Sequence, residues 1–423
     1  MQRKLVKRIL IPSWMFWAFL IVACRPASLP IESPIASPLP STLPTPPSLP
    51  LGTSLPSPVT SPFATATTFP EIRVTVVDSA ATVYTPTIHI LDFSFIDAQR
   101  GWILGTWCQN TCPILIRATS DGGRTWQALP ALKGQEPWIY PRPDLSLVSS
   151  IRFADAQHGW AFQPGFFSTS DGGKTWIDEQ RSVVAVEPAG GSLWAIEQTG
   201  DQFGLLFSAD LGRTWKPTPN QPPLQGRTVQ LVRPTSSDAW ILTEDSESRA
   251  SLFVTHDGGM SWQELPEPPK TGCFDDRSLA MSTNQRLWMV CGGGLATAMQ
   301  LKMLYTSMDG GTTWKIMADT SAPGSGQPTG ILPISGHLGN PSQFAVASPL
   351  DAFLALDRAT LFATHDGGRT WEYAIPYDLA NRADDGMGPV RFLDAEHGWM
   401  VAPPDWFFRT TDGGKTWERV TVK

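Results

Sequence analysis

Seven short apolar runs, each followed by a polar tight turn and then a Trp, set the pattern of this chain. The runs are Ile114 to Ile116, Phe166 with Phe167, Leu205 to Phe207, Leu252 to Val254, Met303 to Tyr305, Leu361 with Phe362, and Trp406 to Phe408. Runs of two or three apolar residues, bounded by Gly, Asp and Ser, predict strands rather than helices. Each turn has one form. A Ser or Thr stands two residues before an Asp, a Gly two residues after it, then Thr or Ser, then Trp. The aspartates are Asp121, Asp171, Asp210, Asp257, Asp309, Asp366 and Asp412. The spacings between the following Trp residues are 50, 39, 47, 52, 57 and 46. A period of that size means one supersecondary unit repeated seven times.

Two strands joined by Asp-Gly-Gly read as a hairpin. The Gly residues supply positive φ, and the carboxylate accepts turn N–H groups that have no strand partner. These seven aspartates are therefore expected to be turn braces and not acid catalysts. Upstream lies a second landmark, a strand and polar turn that lead to Trp. It is Phe95-Ile-Asp97 to Gly101-Trp102 in the first unit. It recurs at Phe153 to Trp160 and Phe392 to Trp399, and more loosely before Trp194, Trp240 and Trp288, with Phe353 in the sixth unit. Each unit then reads as four antiparallel strands. The expected fold is all-β, a seven-bladed β-propeller of four-stranded antiparallel blades. A strand at Ile72 to Val77 is a candidate to pair with the last blade.

Composition divides the chain. Residues 1–23 carry Arg3, Lys4, Lys7 and Arg8 and then an apolar run, the form of a secretory signal. The run ends Val22-Ala23-Cys24, which resembles the lipobox of bacterial lipoproteins; that resemblance implies lipidation at Cys24 and a membrane-anchored, extracytoplasmic protein. An uncleaved membrane anchor is the alternative. Residues 24–70 are rich in Pro, Ser and Thr and read as a disordered stalk, reaching on the order of 140 Å at ~3.1 Å per residue. Residues 71–423 are the propeller. Net charge is −7 and becomes −11 once the four basic leader residues are gone, which disfavours nucleic acid as a partner. The remaining four Cys suggest local disulfides, Cys108 with Cys112 and Cys273 with Cys291; a zinc site is the competing use.

The Asp turns and the first turns of the blades share one face of such a propeller. The opposite face collects the loops between second and third strands and the long crossings at 130–147, 318–343 and 376–389. Among the 18 Trp, Trp107, Trp138 and Trp406 stand outside the repeat and map to that long-loop face. With Tyr140 and Arg142 they form the candidate partner-binding set; capping of blade ends is the bland alternative. Asp275-Asp276 and Asp384-Asp385 are placed on crossings and read as solvated loops, with calcium ligation or glycosidase chemistry as alternatives. No catalytic residue, metal site or cofactor is assigned.

The repeated turn resembles the Asp-box, or bacterial neuraminidase repeat. Over residues 88–423 the paired landmarks resemble the photosystem II assembly and stability factor family. That resemblance implies a non-enzymatic role, holding or escorting a membrane protein during assembly. The family's arginine-rich patch has no residue-by-residue counterpart here. Sialidases and xyloglucanases share the Asp-box, so an exported glycan-binding protein or glycoside hydrolase is the alternative. The arginine triad and Tyr–Glu pair expected of a sialidase are not recognisable among the five Tyr. The partner is thus an unidentified protein or an envelope polymer.

Overall fold

The chain separates into Met1–Thr68 and Phe69–Lys423. The computed structural model describes residues 88–107, 113–132, 148–200, 202–270, 273, 275–282, 286–296, 299–320, 330–331, 344–356, 360–374, 387–402 and 406–422. The leader, the stalk and the candidate strand at 72–77 lie outside these residues.

Seven antiparallel sheets follow one another along the chain, each with its strands in sequence order. Blade 1 comprises His89–Phe95, Gly101–Thr106, Ile114–Thr119 and Gln127–Leu129. Blade 2 comprises Ser150–Phe153, Gly159–Phe162, Phe166–Thr169 and Ile177–Asp178. Blade 3 runs from Val183 to Pro217, blade 4 from Thr228 to Glu264, blade 5 from Asp275 to Asp319, blade 6 from Phe344 to Tyr373 and blade 7 from Val390 to Val420. Blade 5 departs from the expected four strands, because Gly330–Ile331 adds a fifth, parallel to Lys315–Asp319. First strands of neighbouring blades touch one another, so they line the centre. The apolar core is divided into seven clusters.

The Phe…Gly-Trp landmark is a joint between blades. Phe95 pairs in register with Gly101, Phe153 with Gly159 and Phe392 with Gly398. A Cβ on these glycines would lie 2.4–2.6 Å from the Phe ring, so only Gly lets the ring lie flat over its partner strand. The ring then stacks on the aromatic of the preceding blade. Phe153 lies 3.7 Å from Trp102, Phe95 lies 3.7 Å from Trp399, and Phe392 lies 4.4 Å from Phe353. In blade 4, Arg233 replaces Phe and sits 4.6 Å over Trp194, exchanging ring stacking for a cation–π contact.

The same second-strand aromatic also reaches forward to the Asp-box of the next blade. The indole N–H of Trp102 donates to Gly172 O at 3.0 Å, that of Trp240 to Gly310 O at 2.8 Å, and that of Trp399 to Gly122 O at 3.2 Å. Trp160, Trp194, Trp288 and Phe353 press on Gly212, Gly259, Gly368 and Gly414, where a Cβ would fall 2.3–3.2 Å from the ring. Blade 7 reaches round to blade 1 by this contact. Among the described residues blades 7 and 1 share no strand, and these side chains join them. Trp240 is fully buried within this joint. Trp240→Ala is expected to cost about 3–5 kcal/mol, read as a lower urea midpoint with an unchanged slope; a midpoint within error of the parent would contradict this account.

Candidate functional site

All seven Asp-boxes share one hydrogen-bond pattern. In the first, Asp121 Oδ1 accepts from the Thr125 amide at 2.9 Å and the Thr119 hydroxyl at 2.8 Å, while Oδ2 accepts from the Thr125 hydroxyl at 2.6 Å. The Thr119 oxygen accepts in turn from Gly123 N at 2.9 Å. The equivalent bonds form around Asp171, Asp210, Asp257, Asp309, Asp366 and Asp412. In five blades the first box residue after Asp also donates to the first turn, as in Gly122 N to Gln99 O at 2.8 Å. In the third box Leu211 takes the Gly position at φ 56°. The carboxylates are therefore engaged by the hydroxyls and amides of their own turns.

Burial alone would raise the Asp121 and Asp171 carboxyls. The Thr125 and Thr175 hydroxyls and amides outweigh it and hold them at about 2. Hydrogen bonds from Ser208 hold Asp210, and from Ser261 hold Asp257, at about 2 as well.

A second cluster sits on the axis. The residues opposite the second-strand aromatics are Ser94, Arg152, Glu187, Val232, Ala280, Ala345 and Arg391. The centre is thus charged at blades 2, 3 and 7 and apolar at blades 4 to 6. Asp92, almost fully buried, is the hub. It accepts from Ile151 N at 3.0 Å and from Arg152 Nη1 at 3.0 Å, and it pairs with Arg391. Arg391 also donates to Phe93 O at 3.0 Å. Arg152 Nε lies 3.9 Å from Glu187, and Arg233 Nη1 donates to Glu187 O at 3.3 Å. These contacts supply partners to the inner-strand edges, which face no further strand. Ser94 Oγ does the same for Phe153 N at 2.9 Å, and Gln230 Oε1 for Leu279 N at 3.0 Å. Desolvation pushes Glu187 up, against the pull of Arg152, Arg391 and Arg233, although the side chain keeps 31 % of its surface open. Burial pushes Arg233 down to about 10, which leaves it charged.

On the long-loop face, Trp107 follows the second strand of blade 1 and is 37 % exposed. Trp406 opens the third strand of blade 7 and has a packing duty: it lies against the blade 6–7 core, beneath Arg419 at 4.7 Å. It is therefore part of a blade end as well as of the rim. Trp138, Tyr140 and Arg142 lie outside the described residues, as do Cys24, Cys108, Cys112 and Asp384-Asp385. Asp275-Asp276 belong to the first strand of blade 5 and not to a crossing; the bulge there displaces the strand start from its expected place. Cys273 and Cys291 form a disulfide. A cleft of about 620 Å³ opens on blade 4, lined in part by Gln225, Asp245, Arg249, Glu264 and Glu267. Among the described residues no group of three or more His, Cys, Asp or Glu is arranged to hold a metal ion.

The axial cluster was missed by sequence reasoning, although aligning the units on the residue before Phe95, Phe153 and Phe392 displays Arg152 and Arg391. Asp92→Asn leaves Arg152 and Arg391 without their shared counter-charge. Those side chains keep 22 % and 26 % of their surface open, so the expected cost is about 2–3 kcal/mol, below that of a wholly buried pair. Chemical denaturation would measure it, and no loss would refute the hub. The box carboxyls give a pH dependence. At Asp121, Asp171, Asp210 and Asp257 the folded pKa of about 2 lies below the ordinary ~3.9, and Asp309, Asp366 and Asp412 are lowered as well, so their contribution is present above ~4 and is lost as pH falls below it. The thermal midpoint should be flat above pH ~5 and fall steeply below pH ~4, and less steeply in Asp171→Asn; an identical slope in that variant would contradict this.

Residues 338–423 match the family model described as photosynthesis system II assembly factor YCF48. The chain is 26% identical over 287 residues to the photosystem II assembly protein Ycf48 of Synechococcus sp. (strain JA-3-3Ab), covering 55% of this chain and 77% of that relative. A solved structure of YCF48 bound to D1 peptide is similar at a TM-score of 0.54 and 20% identity, covering 80% of this chain and 99% of the other. YCF48 from Cyanidioschyzon merolae gives a TM-score of 0.51 at 14% identity, covering 78% and 97%. With seven Asp-box blades and these relatives, the chain is an Asp-box β-propeller similar to the photosystem II assembly factors.

Proposed function

We propose that this chain is a non-enzymatic binding protein that holds or escorts a protein segment during assembly of a membrane complex. The observation that carries this reading is the division of labour between the two faces. The Asp-box carboxylates are engaged by their own turns, and Asp92 and Glu187 are engaged by arginines, while Trp107 stands open on the opposite rim. Rigid rings that present aromatics on loops bind partners by shape. The solved relative with a D1 peptide supports a protein segment as the partner class. The leader, Cys24 and the Pro-rich stalk support a lipid-anchored, extracytoplasmic position, with the stalk setting the distance from the membrane.

A second reading, an exported glycan-binding protein or glycoside hydrolase, has one observation in its favour. Asp92 and Glu187 approach the axis, and Glu187 is pushed up as a general acid would be. Both are engaged by Arg152, which favours a structural use for them. Affinity capture from detergent-solubilised membranes separates the readings. Specific recovery of one protein is expected, and Trp107→Ala should weaken it about tenfold or more with the thermal midpoint unchanged. Cys24→Ser should move the chain to the soluble fraction. Hydrolysis of a glycan panel with no specific protein recovered would overturn the binding reading.

A further inference from the structure

We propose that the Cys273–Cys291 disulfide is made before blades 4 and 5 dock and is what holds that interface closed, so that maturation of this chain includes a thiol–disulfide exchange step. The argument rests on where the sulfurs lie. Cys273 is 3% exposed and Cys291 0%. Both belong to the cluster that joins the blades, with Trp240, Leu242, Leu252 and Val254 of blade 4 and Leu287, Met289 and Tyr305 of blade 5. The bond ties the entry of the first strand of blade 5 to its second strand, with the Cα atoms 5.3 Å apart.

The bond is placed where that strand is weakest. The ladder is bulged between Asp275 and Arg277, and the next residue in register with Cys291 is Arg277 itself. Arg277 crosses to blade 4, where it pairs with Glu244 at 2.5 Å and donates to Ser248 O at 3.0 Å. The two side chains are 0% and 2% exposed, and Nε and Nη2 of Arg277 have no partner among the described residues. An ion pair buried this deeply and only half satisfied adds little net stability of its own. The bulged strand that carries Arg277 is restrained instead by the disulfide.

The chemistry fixes the order. One cysteine thiolate attacks a carrier disulfide, forming a mixed disulfide and releasing one carrier thiolate. The second cysteine thiolate then attacks the protein sulfur and expels the other. Two electrons pass to the carrier, which leaves as a dithiol. Each attack needs three sulfurs in line, and the closed interface has no room for the third. The co-reactant is thus a disulfide carrier of an oxidising compartment, met while blades 4 and 5 are apart.

Hydrogen exchange read by mass spectrometry tests this on the oxidised chain and on Cys273→Ala/Cys291→Ala. Peptides covering 239–244 and 275–281 are expected to exchange at least about tenfold faster in the variant, with 89–95 and 398–402 unchanged. In the parent, tris(2-carboxyethyl)phosphine should reduce this bond at least about a hundredfold more slowly in buffer than in urea. Parent-like protection in the variant, loss of protection throughout the ring, or equally fast reduction of the folded chain would each overturn the proposal.

Discussion

The contact on which this ring depends is an indole laid against a glycine turn. A four-stranded sheet has two apolar faces and cannot bury either alone. Here each blade covers one face by sending its second-strand aromatic onto the Asp-box of the next. The box must therefore be rigid and close. The Asp and the preceding hydroxyl supply rigidity by pinning the turn to itself. The Gly supplies closeness, since a Cβ at Gly414 would stand 2.3 Å from the Phe353 ring. The repeated motif is thus a socket and the repeated Trp its plug.

That joint also explains how the last blade meets the first among the described residues. Blades 7 and 1 meet through Trp399 on Gly122, Phe95 on Trp399 and Arg391 on Asp92. The first is the joint found between the other blades, and the second recurs between blades 1 and 2 and between blades 6 and 7. The third is peculiar to the seam and its neighbours, where one buried carboxylate answers two arginines and one strand-edge amide. Charge on the axis is concentrated where the chain ends come together, and the far side of the channel is lined by Val232, Ala280 and Ala345.

The fold was legible because its determinants are local and repeated. Asp, Gly and Trp at fixed offsets can be counted, and the strand pattern between them follows. Phe353 for Trp in blade 6 did not obscure the count. The axial cluster was not legible as a cluster, because Asp92 and Arg391 are 299 residues apart and the motif does not say that the arginines preceding Phe153 and Phe392 meet one carboxylate. Arg233 in the place of Phe shows the same difficulty on a smaller scale: a guanidinium that reads as a surface charge is in fact a stacking group over Trp194. Asp275-Asp276 read as a crossing because a bulge shifts the strand start, a detail with no sequence signature.

The candidate partner site is legible only by subtraction, and the structure sharpens the subtraction. Aromatic residues outside the repeat were the starting set. Trp406 loses part of its claim because Arg419 and the blade 6–7 core occupy it. Trp107, 37% exposed among the described residues, is the member of that set on which the binding proposal rests. Where every blade spends its aromatic surface on the next blade, an aromatic left over on the loop rim is the residue that a partner would be expected to cover.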